Sequence, residues 1–130
     1  MEKESEVDAN GRVWWGQKRL TDDQLKELLQ GFTADEKARA RFMHVFSNRL
    51  TIVPREVLEL KGLKVLNLTN NCLSSLPSFI GQLTSLEGLL LSGNELETML
   101  ASMTNLQQLN WYVNPRFSCF FSAYSLVFAG

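Results

Sequence analysis

Leu63-Lys64-Val65-Leu66-Asn67-Leu68-Thr69-Asn70-Asn71-Cys72-Leu73 opens a unit that closes on Leu76-Pro77-Ser78-Phe79-Ile80-Gly81-Gln82-Leu83. Within it Leu66 and Leu68 alternate with Val65, Asn67 and Thr69, the period-two pattern of a strand with one buried face. The unit recurs. A step of 23 residues forward from Leu63 reaches Leu86, and Asn71 moves to Asn94. The same step backward meets Met43, Val45, Asn48, Leu50, Val53, Pro54, Val57 and Leu60, an equivalent residue type at every landmark. A fixed period of this length predicts a stack of coils, because no single coil can bury its own leucines and each needs a neighbour.

In each coil the leucines point inward and the residues between them face outward from a parallel sheet. The asparagine that follows the strand has a structural task. The chain turns inward there and its backbone amides lose their sheet partners, and a side-chain amide can both accept and donate. Asn48, Asn71, Asn94 and Asn114 are in register for such a ladder. Leu76-Pro77 begins the return along the convex side, where a residue with fixed φ and no N–H suits chain outside a ladder.

The outer units depart from the pattern. Thr84-Ser85-Leu86 recurs as Thr104-Asn105-Leu106, a step of 20, so the third coil is read as short on its convex side. A fourth unit, Leu106-x-x-Leu109-x-Trp111-x-x-Asn114, ends after its asparagine. Upstream, Val13, Trp15, Lys18 and Leu20 match Met43, Val45, Asn48 and Leu50 at a step of 30. Thr21-Asp22-Asp23-Gln24 and Thr33-Ala34-Asp35-Glu36 each read as a capping box. The first heads a helix with Leu25, Leu28 and Leu29 on one face and Gly31 at its end, the second a helix running to about Arg41. The organisation expected is a disordered acidic tail over residues 1–9, a helical cap or degenerate repeat over 10–39, repeats over 40–114, and an apolar tail or cap over 115–130.

The motif Leu63-x-x-Leu66-x-Leu68-x-x-Asn71-x-Leu73 resembles that of the leucine-rich repeat family. With Leu76-Pro77-x-x-Ile80 completing the unit it is similar to the intracellular subclass of Ras-pathway scaffolds and cell-polarity proteins. The resemblance implies an α/β fold: a short right-handed leucine-rich repeat solenoid, with a parallel sheet on its concave face and a helical cap at the N-terminus. It also implies non-catalytic protein binding, as an intracellular adaptor or regulatory subunit, with small GTPases or phosphatases as partners. The alternative function is a truncated or splice-variant fragment of such a protein, self-associating through its C-terminal coil.

Composition narrows the function further. In 130 residues there are 13 basic and 14 acidic side chains, giving a net charge of −1 and no long-range attraction to nucleic acid. Residues 63–130 hold only Lys64, Arg116, Glu87, Glu95 and Glu97, which defends that half poorly against association. The polar, acidic start has no apolar core, so no signal peptide is read and a cytoplasmic, thiol-reducing setting is expected for Cys72 and Cys119. The run Phe117–Gly130 has no charged residue, yet is too short for a membrane span, which takes about 18 apolar residues. It is read as an improvised cap, as a segment buried in a partner or self-associating through residues 117–130, or as a sign of truncation.

Little catalytic chemistry is present. His44 is the only histidine, and there is no glycine-rich phosphate loop, paired-cysteine motif or zinc-protease motif. Neither cofactor nor metal is expected. The acid pairs Asp22-Asp23 and Asp35-Glu36 fit helix first turns, and Asn67, although in a glycosylation sequon, reads as a strand position. Lys37, Arg39, Arg41, Arg49 and Arg55 read as a solvated face. The candidate binding surface is therefore the outward side of the sheet: Trp14, then Phe42, His44 and Phe46, then Val65, Asn67 and Thr69, then Leu90 and Ser92, then Asn110 and Tyr112. Aromatic side chains in one exposed patch mark protein interfaces.

Overall fold

The computed structural model describes residues 5–96 and 110–112. Five three-residue strands, β1 (Arg12–Trp14), β2 (Phe42–His44), β3 (Val65–Asn67), β4 (Gly88–Leu90) and β5 (Asn110–Tyr112), form one parallel sheet in chain order. The register gives the repeat length directly. Val13 lies beside Met43, Met43 beside Leu66 and Leu66 beside Leu89, so the steps are 30, 23 and 23 residues. The fourth step differs from the sequence reading. Leu89 pairs with Trp111, a step of 22 rather than 20. A shift of two preserves the alternation of faces, so the hydrophobic pattern alone could not distinguish the two registers.

Helical segments close the coils on the side opposite the sheet's outer face. α1 (Asp22–Gln30) and α2 (Ala34–Arg39) belong to the first, longer coil. Both open on full capping boxes, in which Thr21 accepts from the Gln24 amide and Thr33 from the Glu36 amide. α2 stops two residues short of Arg41, because Ala40 is extended (φ −63°, ψ 122°) and fully buried where the chain turns into β2. In the next two coils a single 3-10 turn replaces the helices, Arg55–Glu59 after Pro54 and Ser78–Gln82 after Pro77. α1 packs beside the first of these and the first beside the second.

Between sheet and helical side lies one continuous apolar core. It runs from Val13 and Leu25 through Met43, Leu50 and Val57 to Leu66, Ile80, Leu89 and Leu96. Burial of each such side chain contributes roughly 1.5–3 kcal/mol. Asn48, Asn71 and Asn94 are the buried amides within it. Each donates to carbonyls of its own coil and of the preceding one: Asn48 to Trp15 and Val45, Asn71 to Val45 and Leu68, Asn94 to Leu68 and Leu91. Their side-chain oxygens accept from Leu20, Leu50 and Leu73 amides respectively. Lys18, in the ladder position of the first coil, is exposed, and its backbone amide donates to Asn48. Asn114 lies outside the described residues.

Residues 5–9 are not the disordered tail that their polarity suggests. Val7 is 2% exposed. Glu36 accepts from the Ser5 hydroxyl and the Glu6 amide, and Arg39 donates to the Val7 and Asp8 carbonyls. The Trp15 indole donates to Glu6. One apolar residue and two charged anchors on α2 are enough to seat this strap against the first coil, and a composition argument over nine residues cannot register that.

Candidate protein-binding face

Strand parity puts Trp14, Phe42, His44, Val65, Asn67 and Leu90 on the sheet's outer face, with Phe46, Thr69 and Ser92 continuing the same columns beyond the strand ends. The backbone extends the pairing past each strand: Trp15 N donates to His44 O, Val45 N to Asn67 O and Leu68 N to Leu90 O. Asn110 and Tyr112 take the register positions of Gly88 and Leu90.

The aromatic side chains are less open than their outward placement implies. Among the described side chains of this face only Trp14 is well exposed, at 53%. Phe42, His44 and Phe46 are half-buried, as are Val65, Asn67, Thr69, Leu90 and Ser92. The reason is lateral stacking between adjacent strands, which lie about 4.8 Å apart. The Trp14 and His44 rings are register partners and stack at 4.3 Å with an 11° interplanar angle. Arg12 brings its guanidinium carbon 5.7 Å from the Trp14 ring centroid, a cation–π contact. Phe46 lies across Gly16, where an added Cβ would come within 2.4 Å of its ring, so glycine is needed there for the ring to settle. Asn67 turns its side-chain oxygen to the Thr69 amide at 3.1 Å.

Burial, and secondarily the Arg12 charge, hold the His44 imidazole below its ordinary pKa. Among the described residues the ring makes no hydrogen bond, and no three His, Cys, Asp or Glu side chains gather as metal ligands. His44 is thus a neutral aromatic plate in a stack.

Two residues of this face escaped the sequence reading. Arg12 shares the parity of Trp14 and could have been found by extending the outward column one step. Gly16 could have been found the same way, but only the fit of Phe46 shows why it matters. The five cations read as a solvated face are mostly engaged. Lys37 pairs with Glu59, Arg39 with Asp35 and the N-terminal strap, Arg41 with the Ala38 and Ala40 carbonyls, and Arg55 lies over Phe79. Among the described residues Ile52, at 55%, is the other large apolar side chain in the open, beside Asp22, which accepts from its amide.

A parallel strand per coil, a turn sealed by a buried asparagine and a Pro-led return define a leucine-rich repeat solenoid. Residues 41–96 match the leucine-rich repeat family model, and the chain carries leucine-rich repeats over that span. It is 39% identical over 60 residues to the plant intracellular Ras-group-related LRR protein 7 of Oryza sativa subsp. japonica, a match covering 45% of this chain and 23% of that protein. A solved leucine-rich repeat protein of Leptospira interrogans superposes with a TM-score of 0.62 and 32% identity, over 72% of this chain and 25% of that one. The chain therefore spans about a quarter of the length of either relative. Proteins of this architecture generally bind other proteins rather than catalyse. Among the described residues no helix is long and apolar enough to cross a membrane.

Proposed function

We propose that the chain binds a protein partner through the outer, concave face of its sheet, as an intracellular adaptor or regulatory subunit. The observation that carries this reading is Trp14: a 53% exposed indole, preorganised by the stacked His44 ring and the nearby Arg12 guanidinium. An aromatic ring already fixed in place loses little conformational entropy on binding, which is what an interface anchor requires. Val65, Asn67, Thr69, Leu90 and Ser92 continue the face as a mixed apolar and polar surface, the composition of an interface rather than of a substrate pocket. The name of the rice relative, intracellular and Ras-group-related, supports a signalling partner such as a small GTPase or phosphatase and an intracellular setting. Peptides selected by display against the immobilised full chain test the proposal. Trp14→Ala with Leu90→Ala should weaken the selected binders about thirtyfold, the scale of losing an aromatic hot spot. Ser78→Ala, on the opposite side, should leave them unchanged. Equal loss from both sides would remove the concave face as the site.

A further inference from the structure

Charge is sorted across this solenoid in two directions. The first is between its sides. Every carboxylate between residues 10 and 86 lies in α1, α2 or the 3-10 turn Arg55–Glu59, and no outward position of β1 to β4 carries one. The second is along the stack. The position just after each strand's turn is Arg19, Arg49, Cys72 and then Glu95, at steps of 30, 23 and 23 residues. The position just before each strand is Gly11, Arg41, Lys64 and then Glu87, at the same steps. The rim after the turns therefore runs from cationic at the first two coils, through neutral Cys72, to anionic beside β4. The rim before the strands is cationic at Arg41 and Lys64 and anionic beside β4, while at β1 it holds Gly11 and an Asp8 carboxylate paired with Arg12. Arg19, Arg49 and Lys64 are exposed and make no ion pair among the described residues. Arg41 donates only to neutral carbonyls, so its charge is also uncompensated.

We infer that the concave face of the first three coils seats an acidic protein segment, its carboxylates between the two cationic rims and an apolar side chain against Trp14. This rests on the reading of the concave face as a protein-binding surface and specifies the partner's chemistry. Unpaired like charges on both rims disfavour a basic partner and draw an acidic one, an effect on association rate and salt dependence as much as on affinity. Three strands about 4.8 Å apart span roughly 10 Å, the reach of about three extended residues, so a short segment suffices. Protein is favoured over nucleic acid because the face between the rims is half apolar, with Phe42, Phe46 and Val65, and the anionic coil at β4 would repel a continuing phosphate backbone.

The test uses the full chain and a fluorescent peptide of about a dozen residues alternating Glu with Leu and Phe, together with its Lys-for-Glu twin and an oligothymidylate. The acidic peptide should bind and the twin should not, and raising salt from about 50 to 500 mM should weaken binding about tenfold or more. Arg19→Glu with Arg49→Glu should weaken it by at least about tenfold while the circular dichroism spectrum stays unchanged, whereas Glu95→Lys should not weaken it. Equal binding of the twins, insensitivity to salt, or tighter binding of the oligothymidylate would overturn the inference. So would a doubling of mass in light scattering that Arg19→Glu with Arg49→Glu abolishes, since the rims then serve an antiparallel second copy. The display selection separates the two levels of failure. Selected binders that depend on Trp14 but carry no acidic residues would remove the acidic partner and leave the binding face intact. Binders indifferent to Trp14 would remove both.

Discussion

The side-chain amide of Asn71 donates to the main-chain carbonyl of Val45 at 3.0 Å, across the boundary between one coil and the next. The same amide donates to Leu68 within its own coil, and its oxygen accepts from Leu50. One buried side chain thus satisfies backbone groups of two coils where the sheet has ended. Asn71→Ala leaves the buried Leu50 amide without a partner, at about 1–3 kcal/mol, while the Val45 and Leu68 carbonyls each keep one side-chain donor, from Asn48 and Asn94. Chemical denaturation should show a lower midpoint with an unchanged slope. A midpoint equal to the wild type would mean that the coils are not coupled through this residue.

A second column runs beside the asparagines. Gln17, Ser47, Asn70 and Gly93 occupy equivalent positions, one residue before Lys18, Asn48, Asn71 and Asn94, and all have positive φ of 57°, 55°, 55° and 73°. The left-handed turn is thus built into each of the four coils whose turns are described, but of these four residues only Gly93 adopts it without a side-chain penalty. A Cβ on Gly93 would also come within 2.0 Å of the Asn70 side-chain oxygen. Gly93→Ala should therefore lower stability by about 1–2 kcal/mol, whereas Ser47→Gly should be neutral or stabilising by up to about 1 kcal/mol. Denaturant midpoints of the two variants, measured side by side, should move in opposite directions or differ by at least that sum's lower bound.

The 23-residue step, the positions of β2 to β4 and the buried Asn48, Asn71 and Asn94 were legible because stacking forces each coil to repeat the same burial problem, and the sequence shows the repeated solution. The 30-residue first coil was legible for the same reason, through Val13 and Trp15, although Lys18 interrupts its ladder. Less visible was anything set by a fit between coils. That Trp14 stacks on His44, or that Phe46 rests on Gly16, depends on side-chain direction and not on spacing. The step to β5 was misread because its two candidate registers bury the same face. The strap over residues 5–9 was missed because its anchors, Glu36 and Arg39, lie some 30 residues away and look like ordinary surface charges of a short helix.

His44 should titrate below its ordinary value of 6.5, since burial and then the Arg12 charge both disfavour the imidazolium. The neutral ring is the form the fold prefers, so this contribution to stability is complete above 6.5 and is lost as the pH falls through the folded value. NMR of the imidazole protons should give a midpoint below 6.5 in the wild type. The midpoint should rise in Trp14→Ala, which uncovers the ring, and in Arg12→Ala, which removes the charge. A wild-type midpoint at or above 6.5 would contradict the stacked geometry.

Glu36 offers an acid-sensitive counterpart at the strap. All of its partners are donors: the Thr33 and Glu6 amides and the Ser5 hydroxyl. The Thr33 amide above all, then the Glu6 amide and the hydroxyls of Ser5 and Thr33, hold its carboxyl below the ordinary 4.5 against the opposing effect of burial. Its contribution is therefore present above about 4.5 and is lost as the pH falls through the lowered folded value. Glu36→Gln keeps the volume but turns an amide NH2 toward a donor, so it should lower the denaturation midpoint at pH 7 and loosen the strap. Amide exchange at Val7 should quicken in the variant even where the coils remain folded. In acid the wild type should lose this advantage while the variant has none to lose, so the two midpoints should converge as the pH approaches 3. A constant gap between them from pH 7 to pH 3 would show that the strap is held by something other than the charged carboxylate.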